Sequence, residues 1–310
     1  MPILEFRCRF ISPFHTAGER YSNVNVCAPY VLGSTLRGAI LGQTIRRRCP
    51  EEAFAQLLSD NPAYHDRCPG PCGAQLLFTE QTRFSFGEFP EDARTRIFRS
   101  RVAIDRERFS VAEGALLTFD AVPGERDQDR EAPDSRFTFE VEVPSGDLVG
   151  LVTEAASWAG DAGIGAFRNQ GYGRFVVEKH EEKPDEPTEP GWPENEEVVL
   201  EVRSPFVLGA HQFGPDAFLQ GLSCRFDEDW CEAHFGGAAI QQVHLGYIGR
   251  WCYEDGKRHV RAVALPGSAL KVTFRQPVSA GDASRILRGL GEWNHMGFGW
   301  WRHLPPDDPS

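Results

Sequence analysis

The chain has 310 residues, 41% of them apolar and 25% charged, with a formal net charge of −12. This is enough apolar material for two domain cores, and it excludes a chain disordered throughout. No apolar run approaches the ~18 residues of a membrane-spanning helix, and Glu5, Arg7 and Arg9 do not fit a signal peptide; eight cysteines without an export signal predict a reducing compartment, the cytoplasm.

In chain order, Leu4–Ser12 alternates apolar and polar residues and predicts a strand. Ser34–Arg48 predicts a helix, with Ser34 or Thr35 as N-cap and Leu36, Ile40, Leu41 and Ile45 at helical spacing. Strands are predicted over Leu116–Val122 and Arg136–Val143, a helix over Asp147–Gly160 and a strand over Gly171–Glu178. Glu181–Glu197, with prolines at 184, 187, 190 and 193 among acids, reads as an extended, solvated linker. Beyond it, strands are predicted over Val198–Arg203, Val243–Tyr253 and Ala269–Gln276, and a helix over Asp282–Gly291. This order predicts an α+β fold of two tandem ferredoxin-like (RRM-like) β-α-β-β-α-β domains. The first spans 1–180 with a long insertion at about 49–115, the linker is 181–197, and the second spans 198–304.

The two halves share three features in the same order. Each begins with a strand-like run ending in Ser-Pro-Phe, at Phe14 and at Phe206. Each then has an apolar Gly-Ser segment, Tyr30–Gly38 and Ala264–Val272. Each ends in a glycine array of pattern G-x-G-x5-G-aromatic-G, at Gly163–Gly173 and Gly289–Gly299. Spacings between the features differ, as expected of diverged copies carrying different insertions.

An acidic total speaks against a nucleic-acid partner until the charge is located. Residues 181–197 carry a net −7, 121–134 a net −3 and the tail Asp307 and Asp308, which together make up the whole net charge. The first 49 residues carry a net +5. The folded bodies are therefore near neutral, and RNA is not excluded.

The glycine arrays lie between a predicted helix and a strand, the reverse of a dinucleotide fingerprint, and no phosphate-loop motif is present. One reading is a tight helix–strand turn. The other is a loop that grips RNA: Gly165, Gly171 and Gly173 would bring the backbone close, Arg168 and Asn169 would bond phosphates and sugars, and Tyr172 would stack on a base. Asn294, His295, Gly297 and Phe298 would do the same in the second array.

The segment Gly33-Ser-Thr-Leu-Arg-Gly38 and the Gly-aromatic-Gly loops resemble the RAMP superfamily of CRISPR-associated proteins. Arg101–Glu107 followed by Glu113–Phe119, and Cys72–Phe78 followed by Arg83–Phe86, are similar to segments of type III effector subunits. The resemblance implies RRM-like domains that hold a CRISPR guide RNA within a ribonucleoprotein complex of antiviral defence, with other effector subunits as partners and no membrane. It implies RNA- or neighbour-contacting roles for Ser34, Arg37 and the first array.

Cys49, His65, Cys68 and Cys72 form C-x15-H-x2-C-x3-C in a proline-rich segment, a donor set suited to a structural zinc ion. Free thiols in a loop are the other reading. Target cleavage in the superfamily uses an aspartate in the loop after the first strand; Pro13–Leu36 has none, so the chain is expected to be non-catalytic. The alternative is a metal-independent endoribonuclease that processes precursor CRISPR RNA, with His15 as its histidine candidate. Phe84, Phe86, Phe89 and Phe98 are interleaved with arginines including Arg99 and Arg101, which suits single-stranded RNA or, equally, an insertion with an aromatic core.

Overall fold

The computed structural model describes residues 1–21, 24–49, 74–79, 81–90, 96–105, 110–125, 135–183, 190–252 and 257–304. These form two compact units that divide after Glu182, with Phe78–Ser85 grouped with the second.

In the first unit, β1 (Ile3–Phe10) puts Leu4, Phe6, Cys8 and Phe10 on its buried face, as the alternation predicts. β2 (Ala17–Tyr21), β3 (Val24–Cys27) and β4 (Tyr30–Val31) follow, then helix α1 (Gly33–Arg48). Helix α2 (Ala74–Phe78), short strand β5 (Arg83–Phe84), which groups with the second unit, and short strand β6 (Gly87–Glu88) precede a long hairpin, β7 (Ile97–Asp105) and β8 (Ser110–Ala121). Then come β9 (Arg136–Glu142), helix α3 (Asp147–Ala162) and β10 (Phe175–Lys183). The main sheet runs β10-β1-β9-β6-β4. Its first four strands have the ferredoxin-like order, fourth, first, third, second. β1 and β9 are antiparallel, with Phe6 opposite Phe139 and Cys8 opposite Phe137. Phe10 stacks on Phe14 and on Phe137 at 4.6 Å, and Phe6 on Phe139 at 4.8 Å. Each fully buried phenylalanine stabilises the fold by about 1.5–3 kcal/mol. The core-facing side of α3 is Leu148, Leu151, Val152, Ala155, Ala156 and Ala159, at helical spacing, and α3 packs against α1.

Two expectations need correction here. The Ser34 or Thr35 cap is not made: α1 starts at Gly33 after Leu32, with no side-chain cap. The strand read at Leu116–Val122 belongs to β8, in a separate sheet of order β2-β3-β8-β7. The second ferredoxin-like position is taken by the two-residue β6. A strand pattern identifies extended backbone, and hydrogen-bond partners far away in sequence decide which sheet it joins.

The second unit contains β11 (Glu197–Val202), β12 (Phe206–Val207), helices α4 (Pro215–Ser223) and α5 (Glu228–His234), and β13 (Phe235–Gln242). The hairpin β14 (Leu245–Cys252) and β15 (Lys257–Ala264) is followed by β16 (Ala269–Phe274), α6 (Ala280–Leu287) and β17 (Trp301–Leu304). Its main sheet runs β13-β16-β11-β17, again ferredoxin-like, while β12, β15 and β14 form a separate sheet. The α+β tandem architecture is thus present in both halves. The sequence reading left 204–242 unassigned; the structure places α4, α5 and β13 there. Pro215 starts α4, and Asp227 caps α5 by accepting the Trp230 N–H at 2.8 Å. The linker also ends earlier than predicted. Trp192 is buried, stacks on Phe274 at 5.3 Å, and exchanges backbone hydrogen bonds with Val278. An indole amid acids follows the general rule that a large apolar surface is buried wherever the chain offers a partner.

Candidate nucleic-acid interface

The two glycine arrays have the same backbone. Gly163, Gly165, Phe167, Gly171 and Gly173 have φ of 78, 77, 61, 84 and 72°. Gly289, Gly291, Trp293, Gly297 and Gly299 have 118, 81, 62, 85 and 70°. A short 3-10 turn occupies Arg168–Gln170 in one and Asn294–Met296 in the other. Phe167 and Trp293 hold a left-handed conformation that costs a non-glycine residue about 1–2 kcal/mol. Ring packing offsets it: Phe167 lies 4.7 Å from Phe119 and 5.7 Å from His15, and Trp293 lies 5.6 Å from Phe298. An aromatic at the fifth array position in both halves is the sequence signal for this pair, which the glycine pattern alone passed over.

Each Ser-Pro-Phe clamps its own array. Ser12 Oγ accepts the Arg174 N–H at 2.9 Å, and the Pro13 carbonyl accepts the Gly173 N–H at 2.7 Å. Ser204 Oγ accepts the Trp300 N–H at 2.9 Å, and the Pro205 carbonyl accepts the Gly299 N–H at 3.0 Å. A Cβ on Gly173 would fall on the Ile164 carbonyl, and one on Gly299 on that of Leu290. The outer glycines are therefore required by packing, as the turn reading has it.

Exposure separates the two arrays. Arg168, Asn169, Gln170 and Gly171 are exposed, and a Cβ on Gly171 would meet open space. The second array is covered: Asn294 is 8% exposed, Met296 3% and Phe298 4%, and β5 packs against the Asn294–Met296 turn. Asn294, Gly297 and Phe298 are thus buried and His295 half-buried, which corrects their assignment to an RNA surface.

Beside the first array lies an open groove of about 540 Å³, lined by Gln43 and Arg46 of α1 and by Gly165, Phe167, Arg168 and Asn169. The Arg46 and Arg168 guanidiniums are exposed and form no ion pair among the described residues. Arg7, Arg9, Arg47 and Arg48 are engaged. Arg7 pairs with Glu5 and Glu181, Arg9 with Glu125 and Glu178, and Arg48 with Glu154. Arg47 and Arg48 also lie over the Trp158 ring at 5.2 and 5.8 Å. The hydrogen bond from Arg9 holds the Glu178 carboxyl below its usual range. Arg46 stands in the last turn of α1.

Of the other expected positions, Ser34 is half-buried at the start of α1. Arg37 is buried, its Nη2 donating to the Leu77 carbonyl at 3.5 Å, so it belongs to internal packing. Tyr172 packs against Phe167 and Phe119, at 5.8 and 6.0 Å. Phe84 and Phe86 are buried, and Phe89 packs among Phe10, Phe14 and Phe137; Phe98 and Arg99 on β7 are exposed. Arg101 pairs with Leu117 through the backbone of β7, and its side chain lies outside the described residues.

His15 is only 3% exposed. Its Nδ1–H donates to the Asp120 carbonyl at 2.7 Å, and its own carbonyl accepts the Ala166 N–H at 2.8 Å. Burial pushes its pKa down. Here it is a buried strut for the first array, out of reach of a ribose at the surface. Cys49 is half-buried at the end of α1; His65, Cys68 and Cys72 lie outside the described residues. Among the described residues, no helix is long and apolar enough to cross a membrane.

No family model and no curated protein matches the chain. Solved structures similar to it include a CRISPR associated protein Cas6 at 12% identity, covering 98% of this chain and 99% of that one with a TM-score of 0.42. An RAMP protein binding different RNA substrates matches at 12% identity over 98% of this chain and 100% of its own, with a TM-score of 0.44. A chain of the type III-B Cmr-beta complex bound to cognate target RNA matches at 12% identity over 58% of this chain and 60% of its own, with a TM-score of 0.38. All three TM-scores lie below 0.5, so the functional assignment is built on this chain's own residues.

Proposed function

We propose that the chain is an RNA-binding structural subunit of a type III-like CRISPR effector complex, holding the guide RNA in antiviral defence. The observation that carries the RNA contact is the groove between α1 and the first array. There Arg46 and Arg168 are exposed without an acidic partner among the described residues, beside the amide of Asn169. Guanidinium forks bond phosphate oxygens in pairs, and an amide side chain can bond a 2′-hydroxyl or a base edge. The motifs that resemble the RAMP superfamily supply the guide RNA and the other effector subunits as partners, and the eight cysteines without an export signal favour the cytoplasm as the compartment. We also propose a structural zinc ion at Cys49, His65, Cys68 and Cys72, on the strength of their spacing.

The test is binding of a fluorescent single-stranded RNA to the full chain, with Arg46→Glu and Arg168→Glu combined. Affinity should fall about tenfold or more at low salt, and the salt slope by about 0.7 for each phosphate no longer neutralised, with the circular dichroism spectrum unchanged. Wild-type affinity in the double variant would overturn the assignment. The endoribonuclease reading stays second because His15 is enclosed. Specific cleavage of a repeat RNA in EDTA, abolished by His15→Gln in a folded protein, would reverse that order.

A further inference from the structure

The second unit carries an open groove of about 940 Å³ whose wall includes Leu219 of α4 and Phe226. Its carboxylates are Asp216, Asp227, Glu228 and Glu232. Leu219 is 37% exposed. Phe226, 7% exposed, supports the wall from beneath: the Arg285 guanidinium lies 4.3 Å over its ring, Trp230 stacks on it at 4.0 Å, and His234 stacks on Trp230 at 4.2 Å. A wall fixed in this way loses little freedom when something docks on it.

Several carboxylates elsewhere in the chain are neutralised by arginine. Glu178 is paired with Arg9 and Arg136, Glu154 with Arg48, and Glu201 with Arg302. In the groove, Asp227 caps α5, while Asp216, Glu228 and Glu232 form no ion pair among the described residues. Arg275, the one arginine or lysine lining the groove among the described residues, joins none of them. A nucleic acid is repelled by such a rim. A purely apolar segment would bury the carboxylates without a partner, at a cost. An apolar face flanked by arginine or lysine satisfies both parts of the surface.

We propose that this groove docks a segment of another protein, one that presents arginine or lysine side chains beside an apolar stripe. It is distinct from the RNA groove of the first unit and does not rest on that assignment. The rim charges give orientation and encounter rate, and the apolar wall gives residence.

The experiment uses the full chain and a fluorescent helical peptide of leucines and arginines, with the leucines on one face. Its counterpart carries glutamate in place of arginine. The arginine peptide should bind saturably and the glutamate peptide should not. Glu228→Lys with Glu232→Lys should weaken the arginine peptide about tenfold and admit the glutamate peptide. Leu219→Asp should weaken the arginine peptide by a similar factor. Arg46→Glu with Arg168→Glu should leave peptide binding intact, so that failure of the RNA assignment is read separately. No saturable binding, equal binding of both peptides, indifference to the charge reversal, or displacement of the peptide by RNA would each overturn the proposal.

Discussion

Ser12 Oγ accepts the backbone N–H of Arg174 at 2.9 Å, across 162 residues of chain. The same bond, at the same length, joins Ser204 to Trp300 in the second unit. Ser-Pro-Phe and the glycine array are thus two halves of one fastening between the end of the first strand and the start of the last. Ser12→Ala and Ser204→Ala should each cost about 1 kcal/mol, the usual net value of a single hydrogen bond. The two effects should add, because the sites share no partner. Urea unfolding of both single variants and the double variant measures this.

The outer glycines should be far less tolerant than the loop tip. Gly171→Ala meets open space and suffers only the left-handed backbone, about 1–2 kcal/mol. Gly173→Ala adds a collision with the Ile164 carbonyl and should exceed ~4 kcal/mol, the range in which a chain fails to fold. Comparing soluble yield and thermal midpoint for the two variants separates the effects. Equal tolerance at both positions would count against the fastening.

His15 makes stability depend on pH in a defined window. In the folded chain, burial lowers its pKa, with the smaller Asp120 contributions acting the other way. The unfolded chain takes up the proton near ~6.5, the folded chain only at lower pH. The contribution is therefore fully present above ~6.5 and declines as pH falls toward the folded value. His15→Gln should remove that limb of the profile. Urea midpoints of wild type and variant across that window provide the measurement.

Elemental analysis of the purified chain should find about one zinc ion per molecule. Cys68→Ser or prolonged chelation should remove it and lower the thermal midpoint, because a bound metal stabilises the state that binds it. Metal-free protein of unchanged midpoint would leave the four donors as free side chains.

The sequence by itself determined the repeat and the ferredoxin-like class. Alternation in Ile3–Phe10, helical spacing in Asp147–Ala162 and matched glycine offsets are local patterns, set by backbone periodicity and by the steric limits of φ. Tertiary structure alone decided which residues are free to act. Arg37 and Arg46 lie on one helix with the same charge, yet one is turned inward to the Leu77 carbonyl and the other lines the groove beside the first array. The two arrays share their φ angles, yet β5 packs against one 3-10 turn and the other is open. His15 was legible as a loop histidine and not as a buried one. The reason is physical: conformation is written in near neighbours along the chain, whereas burial depends on partners far away in sequence, 40 positions for Arg37 and Leu77 and 105 for His15 and Asp120.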